Sequence, residues 1–324
     1  MDRAARATAG LDLGGRGLEI GPSYNPIVPK SSGAAVETVD TAPRDALVAF
    51  YAASGHDQAL LDRIEEVDYV WTGGSLLGII RDHGCFDYVI ASHLIEHTVD
   101  LVEFWTDVSA LLTPNGRLSL VVPDKRFTFD RFRPLTTIGE VLDGSHSDRR
   151  FHPVSAVVDH FALGVELAGR SPWPRGTVGS FTLRNATWHA ALEGEAAALR
   201  QDRYVNVHRW VFTPESFAML VDDLSELDRI DLEIEELHQE EEFEFFVRMR
   251  RRRPGWTRRR SRIESLLAIE SELELVSPVT AEAERLRAEN ESLQQTIAAI
   301  ERSVSWRATA PLRGLRRVTR RGPR

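Results

Sequence analysis

Five short apolar segments recur through the amino-terminal part of the chain, at Gly17–Ile20, 35–40, 66–70, Phe86–Ser92 and 117–123, with helical or turn-rich spacers between them. Strands that run parallel need crossover connections, so this alternation predicts a doubly wound α/β sheet rather than a set of hairpins. Several of the segments end in a polar or turn-forming residue: Gly21, Asp40, Ser92 and Asp124. In such sheets ligands bind outside the carboxyl ends of the strands, which makes those positions the first candidates for function.

The apolar spacing over 99–112 predicts a helix, closed by the turn residues Thr113-Pro114-Asn115-Gly116. From 125 to 206 the regular pattern gives way to a stretch rich in His, Pro and aromatic residues, too long for a simple connection and read here as an inserted lid. Sheet-type patterning then resumes. A helix over 213–224 opens with Thr213-Pro214-Glu215, and strand candidates follow at 231–237 and 242–250, completing a seven-stranded sheet within a domain spanning 1–254.

Residues 255–324 have a different character. Leu266, Ile269, Leu273 and Val276 are spaced as on a helix that Ser277-Pro278 interrupts. Leu286, Asn290, Leu293, Ile297, Ile300 and Val304 then alternate steps of four and three, a heptad seam with Asn290 at an a position, where a buried Asn favours a parallel dimer. The alternative is one amphipathic helix packed on the domain. Arg316 to Arg321 belong to a basic tail.

Composition narrows the function classes. The 324 residues are 42% hydrophobic and 27% charged, an ordinary globular balance. A net charge of -9 argues against a general nucleic-acid coat, which needs a cationic face. The charge is uneven, acidic over 222–244 and basic at Arg250 to Arg253 and Arg258 to Arg260. Cys85 is the single cysteine, so neither an intrachain disulfide nor a thiolate zinc site can form within one chain. With no apolar leader in Met1 to Gly10 and no run approaching the ~18 apolar residues of a membrane span, the expected location is cytoplasmic.

The chemistry-bearing residues gather at the strand ends. Glu19-Ile20-Gly21 closes the first segment with a carboxylate and a glycine that permits a tight turn. Asp40 ends the second, where nucleotide-binding sheets use an acid to accept ribose hydroxyls. Trp71-Thr72-Gly73-Gly74-Ser75-Leu76 follows the third, with backbone and ring surfaces suited to an adenine.

Two runs carry a family resemblance: Phe86-Asp87-Tyr88-Val89-Ile90-Ala91-Ser92-His93-Leu94-Ile95-Glu96-His97 and Leu112-Thr113-Pro114-Asn115-Gly116-Arg117-Leu118-Ser119-Leu120-Val121-Val122-Pro123-Asp124. They resemble the fourth-strand motif and the helix-to-fifth-strand segment of class I S-adenosylmethionine methyltransferases, and the resemblance extends over 10–250. It implies a Rossmann-like sheet and S-adenosyl-L-methionine as cofactor. Glu19 and Gly21 would lie near its methionine end, Asp40 on the ribose, Gly74, Ser75 and Leu76 near the adenine, and Ser92 and His93 along the sulfonium side. The chain departs from that pattern where few residues separate the first two strands and Ser23-Tyr24-Asn25-Pro26 replaces later glycines. This abbreviated form looks like methyltransferases of bacterial surface-polysaccharide gene sets. Ser303 to Arg313 likewise resembles a segment that follows coiled coils in glycosyltransferases and capsule or O-antigen proteins, with Trp306 a contact point for a partner or an anionic membrane surface.

Methylating a sugar hydroxyl calls for a general base, and His160, Asp124 and His208 are the candidates in and around the lid. Each has a structural reading beside it: Asp124 as a turn cap, the histidines as packed core residues. His97 is read as opening the next helix. No metal is expected, because no short ligand spacing joins Asp124, Asp159, His160 and His208. The sequence therefore points to an O-methyltransferase acting on a glycan or glycan precursor, self-associating or docking through 263–304. A non-catalytic scaffold of the same fold that recruits glycosyltransferases is the rival. A nicotinamide-dependent oxidoreductase is disfavoured, its glycine fingerprint being absent.

Overall fold

A computed structural model describes residues 2–239, 243–274, 289–290, 292–299 and 302. The chain divides into two units, 1–269 and 270–324. In the first, a short helix α1 (Arg3–Ala7) precedes β1 (Gly17–Ile20) and β2 (Val36–Asp40). Helices α2 (Arg44–Ala53) and α3 (Gln58–Leu61) lead to β3 (Tyr69–Val70), followed by β4 (Phe86–Ser92), α4 (Leu101–Leu111) and β5 (Leu112–Pro123). Residues 125–206 contain α5 (Ile138–Ser145), α6 (Val154–Leu163), the antiparallel pair β6 (Val165–Leu167) and β7 (Phe181–Leu183), and α7 (His189–Arg200). Helix α8 (Pro214–Glu226), β8 (Leu232–Gln239) and β9 (Glu244–Arg251) complete the sheet, and α9 (Arg262–Glu274) runs across the unit boundary.

The main sheet has seven strands in the order β3-β2-β1-β4-β5-β9-β8, with β6 and β7 in a separate pair. Pairing is parallel from β3 through β5, and β9 runs antiparallel to both of its neighbours. The parallel part is the doubly wound α/β sheet that the strand spacing predicts, the whole is Rossmann-like as the family resemblance implies, and the antiparallel β9 makes the sheet mixed.

The faces follow from residue alternation. On β5, Leu118, Leu120 and Val122 join a large apolar cluster with Phe104, Trp105 and Val108 of α4 and Phe217, Leu220 and Val221 of α8. Trp105 and Phe217 meet edge to face at 5.8 Å. The opposite face, through Tyr88, Ile90 and Val121, packs against Ala7, Ile27 and Val28. Towards the β8 edge, Glu235 pairs with Arg117, Arg248 and Arg250 across three strands.

Two local differences from the sequence reading have clear causes. Thr113 to Gly116 do not end α4 as a free turn. Strand β5 starts at Leu112, and its pairing with β4 jumps from Phe86↔Leu112 to Tyr88↔Arg117, so the turn residues bulge within the strand. The second concerns His97, which lies in a short 3-10 turn (Ile95–His97); α4 is capped by Asp100, whose side chain accepts from the N–H groups of Val102 and Glu103.

In the second unit, residues 289–290, 292–299 and 302 are helical. Asn290, Leu293 and Ile297 of the heptad seam fall there, with Leu293 and Ile297 exposed. Leu286, Ile300, Val304 and the segment from Ser303 to Arg313 lie outside the described residues. No helix among the described residues is long and apolar enough to cross a membrane.

Candidate functional site

The β1-to-β2 crossover contains no α-helix. A turn at 23–24, a bend at 27–28 and a short 3-10 turn (Lys30–Ser32) replace it. Irregular buried backbone needs partners for its N–H groups, and the Glu19 carboxylate supplies two. Its two oxygens accept from Ile27 N–H at 2.6 Å and Val28 N–H at 3.0 Å. Burial pushes this carboxyl up to about 7, against the lowering effect of those two bonds. Glu19, expected near the methionine end of a cofactor, thus has both oxygens engaged by the chain's own backbone. Gly21 turns with φ +72, in the left-handed region where glycine is at ease.

Asp40 sits at the end of β2, 5% exposed. One oxygen accepts from Ser23 N–H at 3.0 Å and the other from Thr41 N–H at 2.7 Å. The hydroxyls of Ser23 and Thr41 each stand 3.3 Å from the same carboxylate. These longer contacts are the ones that the two hydroxyls of a ribose can replace without disturbing the backbone bonds. Beyond β3, Gly73 and Gly74 both have positive φ, and a side chain at either would meet nothing within 4 Å. Ser75 and Leu76 point elsewhere: the Ser75 hydroxyl and Leu76 N–H both donate to Asp107 of α4, at 2.8 and 2.6 Å, tying this loop to the helix. The donor set therefore fits the ribose and adenine parts of an adenosyl group through Asp40, Gly73 and Gly74, and leaves Glu19 out.

At the end of β4, Ser92 accepts from Arg3 of α1 at 2.6 Å, and Arg3 pairs with Glu244 of β9 at 2.9 Å. His93 has φ +49, an uncommon backbone state for a residue with a β-carbon, which turns the chain sharply away from the sheet. Its Nε2 lies 2.8 Å from Glu244.

That turn delivers Glu96 and His97 into a buried polar cluster. The Glu96 carbonyl accepts from the N–H groups of Arg209 at 2.7 Å and Trp210 at 3.2 Å, which fixes the segment carrying His208 against the turn. Three histidines then face one carboxylate oxygen, Glu96 Oε1: His93 Nδ1 at 3.7 Å, His97 Nε2 at 3.9 Å and His208 Nε2 at 4.0 Å. Each of the three has its other ring nitrogen occupied, His93 by Glu244, His97 by the Val207 carbonyl at 3.2 Å and His208 by Asp130 at 2.5 Å. Asp130 is in turn held by Arg133 at 2.7 Å.

Glu96 is fully buried, and neither of its carboxylate oxygens has a hydrogen-bond partner. Burial raises its carboxyl above the usual range, opposed by the charges of His208 and His93 and by its own backbone N–H. Burial, together with the nearby His208, holds His97 well below its ordinary value. Burial also opposes charge on His208, but the Asp130 carboxylate outweighs it and raises that histidine.

The base candidates separate clearly. Asp124 is buried in an ion pair with Arg126, its oxygens accepting from Arg126 Nε at 2.9 and 3.0 Å, and it caps the turn that follows β5. That pairing removes it from service as a base. His160 accepts the His208 backbone N–H on Nδ1 at 3.1 Å, so its own proton resides on Nε2; burial lowers it to about 3. It positions His208 and has no free lone pair to offer. His208 alone combines an orienting carboxylate with a nitrogen turned toward the cluster.

Sequence reasoning missed Glu96, His97, Asp130, Arg133 and Glu244. An available signal was the acid–histidine pair directly after a strand end. Asp130 and Arg133 gave none, since their roles depend on how the lid folds back.

No protein-family profile matches the chain, and no curated protein does. Solved structures similar to it include the mitomycin 7-O-methyltransferase MmcR, at 15% identity and TM-score 0.36, over 76% of this chain and 52% of that one. The CcbJ methyltransferase from Streptomyces caelestis is 14% identical with TM-score 0.39, over 76% and 93% of the two chains. A structure described as a zinc-dependent alcohol dehydrogenase from Rhodobacter sphaeroides is 14% identical with TM-score 0.42, over 78% and 91%. The chain thus spans about half the length of MmcR. At such identities and scores none of them decides what this chain does.

Proposed function

We propose that the chain is an S-adenosyl-L-methionine-dependent methyltransferase acting on a hydroxyl group, with a sugar or glycan precursor of cell-surface polysaccharide as acceptor. The observation that supports it best is the placement of Asp40, at the carboxyl end of β2 in a seven-stranded sheet, rimmed by hydroxyls at 3.3 Å that ribose hydroxyls can displace. S-adenosylmethionine supplies an electrophilic methyl group when bound. Asp40 binds its ribose, the bare backbone at Gly73 and Gly74 leaves room for its base, and Ser92 and His93 border the neighbouring strand end. The Glu96–His97–His208 cluster, next along the sheet, is the acceptor side. There a polar hydroxyl finds its partners, and the lid excludes water. Dimerisation or docking to a glycosyltransferase through 263–304, and peripheral membrane contact through the basic tail, belong to the same reading.

Calorimetric titration of the full-length chain with S-adenosylmethionine tests the reading. Saturable binding is expected, weakened by roughly tenfold or more in Asp40→Asn, since hydrogen bonds to a charged acceptor contribute about 1.5–3 kcal/mol. Absence of binding at millimolar cofactor overturns the proposal and favours the scaffold.

A further inference from the structure

The Glu96 cluster contains an unsolved accounting problem. A fully buried carboxylate without a hydrogen-bond partner is destabilising unless something else compensates it. Around it stand imidazole nitrogens at 3.7–4.0 Å, too far for hydrogen bonds. The ligand atoms of Glu96, His97 and His208 all lie within 4.8 Å of one another.

The outer contacts of the histidines decide what the gap is for. A histidine that binds a metal typically donates its second N–H to a carboxylate or backbone carbonyl, which fixes the tautomer and turns the other nitrogen's lone pair inward. His208 holds Nδ1 against Asp130 and His97 holds Nδ1 against the Val207 carbonyl, which leaves both Nε2 atoms turned toward Glu96. Metal binding releases the proton that Asp130 favours on His208, as ligand histidines must be neutral. Two imidazole nitrogens and a carboxylate without a hydrogen-bond partner then converge in one buried space, an arrangement that suits a cation.

We infer that Glu96, His97 and His208 bind a divalent first-row transition ion, with Asp130 and the Val207 carbonyl orienting the two histidines. Metal–nitrogen and metal–carboxylate bonds of roughly 2.0–2.2 Å require the ligands to close in by about half an ångström to an ångström, within reach of side-chain rotation. Two imidazoles and one carboxylate favour zinc, manganese, iron or cobalt over magnesium and calcium, which prefer all-oxygen shells. His93, facing the same Glu96 oxygen, stands beside the ion as a further donor. Three protein ligands leave open positions for a water or a hydroxyl oxygen. For the ion's role the inference rests on the proposed methyl transfer, where a metal-bound acceptor hydroxyl becomes more acidic and His208 serves as a ligand. For ion binding itself it does not.

The test uses the full-length chain, stripped with chelator and titrated separately with Zn2+, Mn2+, Mg2+ and Co2+. One equivalent of Zn2+ or Mn2+ is expected per chain, with Mg2+ at least roughly tenfold weaker, and Co2+ should develop visible d–d absorption. Glu96→Gln, close in shape, and His208→Ala should each weaken Zn2+ by roughly 100-fold or more, and Asp130→Asn by about 10- to 100-fold. Equal uptake by wild type and Glu96→Gln overturns the inference, as does a wild type that binds none of the transition ions. If a variant fails to fold, as judged by circular dichroism, the wild-type stoichiometry and cobalt spectrum still decide. S-adenosylmethionine titrated into the stripped protein separates the two readings. Cofactor binding with no metal uptake overturns the ion alone, and metal uptake without cofactor binding overturns the methyltransferase alone.

Discussion

Glu19 and Glu96 are the same residue type and almost equally buried, one near the end of β1 and the other in the turn beyond the neighbouring β4, yet their surroundings are opposite. Glu19 has two backbone N–H groups aimed at its oxygens, whereas neither side-chain oxygen of Glu96 has a hydrogen-bond partner and three imidazole nitrogens stand near one of them. The first carboxylate completes the backbone of a crossover that lacks a helix. The second waits for a partner the protein does not itself supply. A buried acid is therefore informative only with its donors counted: a satisfied one belongs to the fold and an orphaned one to chemistry.

The largest effect should come from breaking the satisfied member. Glu19→Ala strands the Ile27 and Val28 N–H groups inside the protein, with an expected loss of roughly 3 kcal/mol or more of unfolding free energy in urea. Stability equal to wild type would mean that the crossover holds itself.

Next in size is a pH effect at the same residue. Folded Glu19 titrates at about 7 against an ordinary 4.5, so its contribution to stability is fully present below pH 4.5 and fades as pH rises through 7. About 3 kcal/mol should be lost across that window. Glu19→Gln, which does not titrate, should flatten this part of the profile in denaturant melts at successive pH values; an unchanged slope would assign it to other groups.

The smallest effect sharpens the other side. Replacing an unpaired buried carboxylate with an apolar side chain of similar length removes a desolvation penalty, so Glu96→Met should raise the stability of ion-free protein by about 1–2 kcal/mol. A loss of similar size would show that Glu96 already has a stabilising partner without an ion. Opposite signs at Glu19 and Glu96 are the outcome the comparison requires.

Much of the sheet was legible in the sequence because strands leave a local mark. β1 and β4 fall where apolar runs bounded by turn residues place them, and Thr213-Pro214 opens α8 with a capping box. Asp40 was legible for the same reason, since a strand-end acid is a local feature. The base candidates were less so. Asp124, His160 and His208 differ in which of their atoms are already engaged, and that is set by Arg126, by the His208 backbone and by Asp130.

The sequence by itself determined the order of the main-sheet strands along the chain and the strand-end positions of Gly21, Asp40 and Ser92, because these depend on residues close together in the chain. Only the tertiary structure decided that Glu19 turns inward to backbone and that His97, bonded to the Val207 carbonyl 110 positions away, converges with His208 on Glu96. Hydrogen-bond satisfaction in a buried site depends on which donors arrive from distant segments, and no local pattern encodes that arrival.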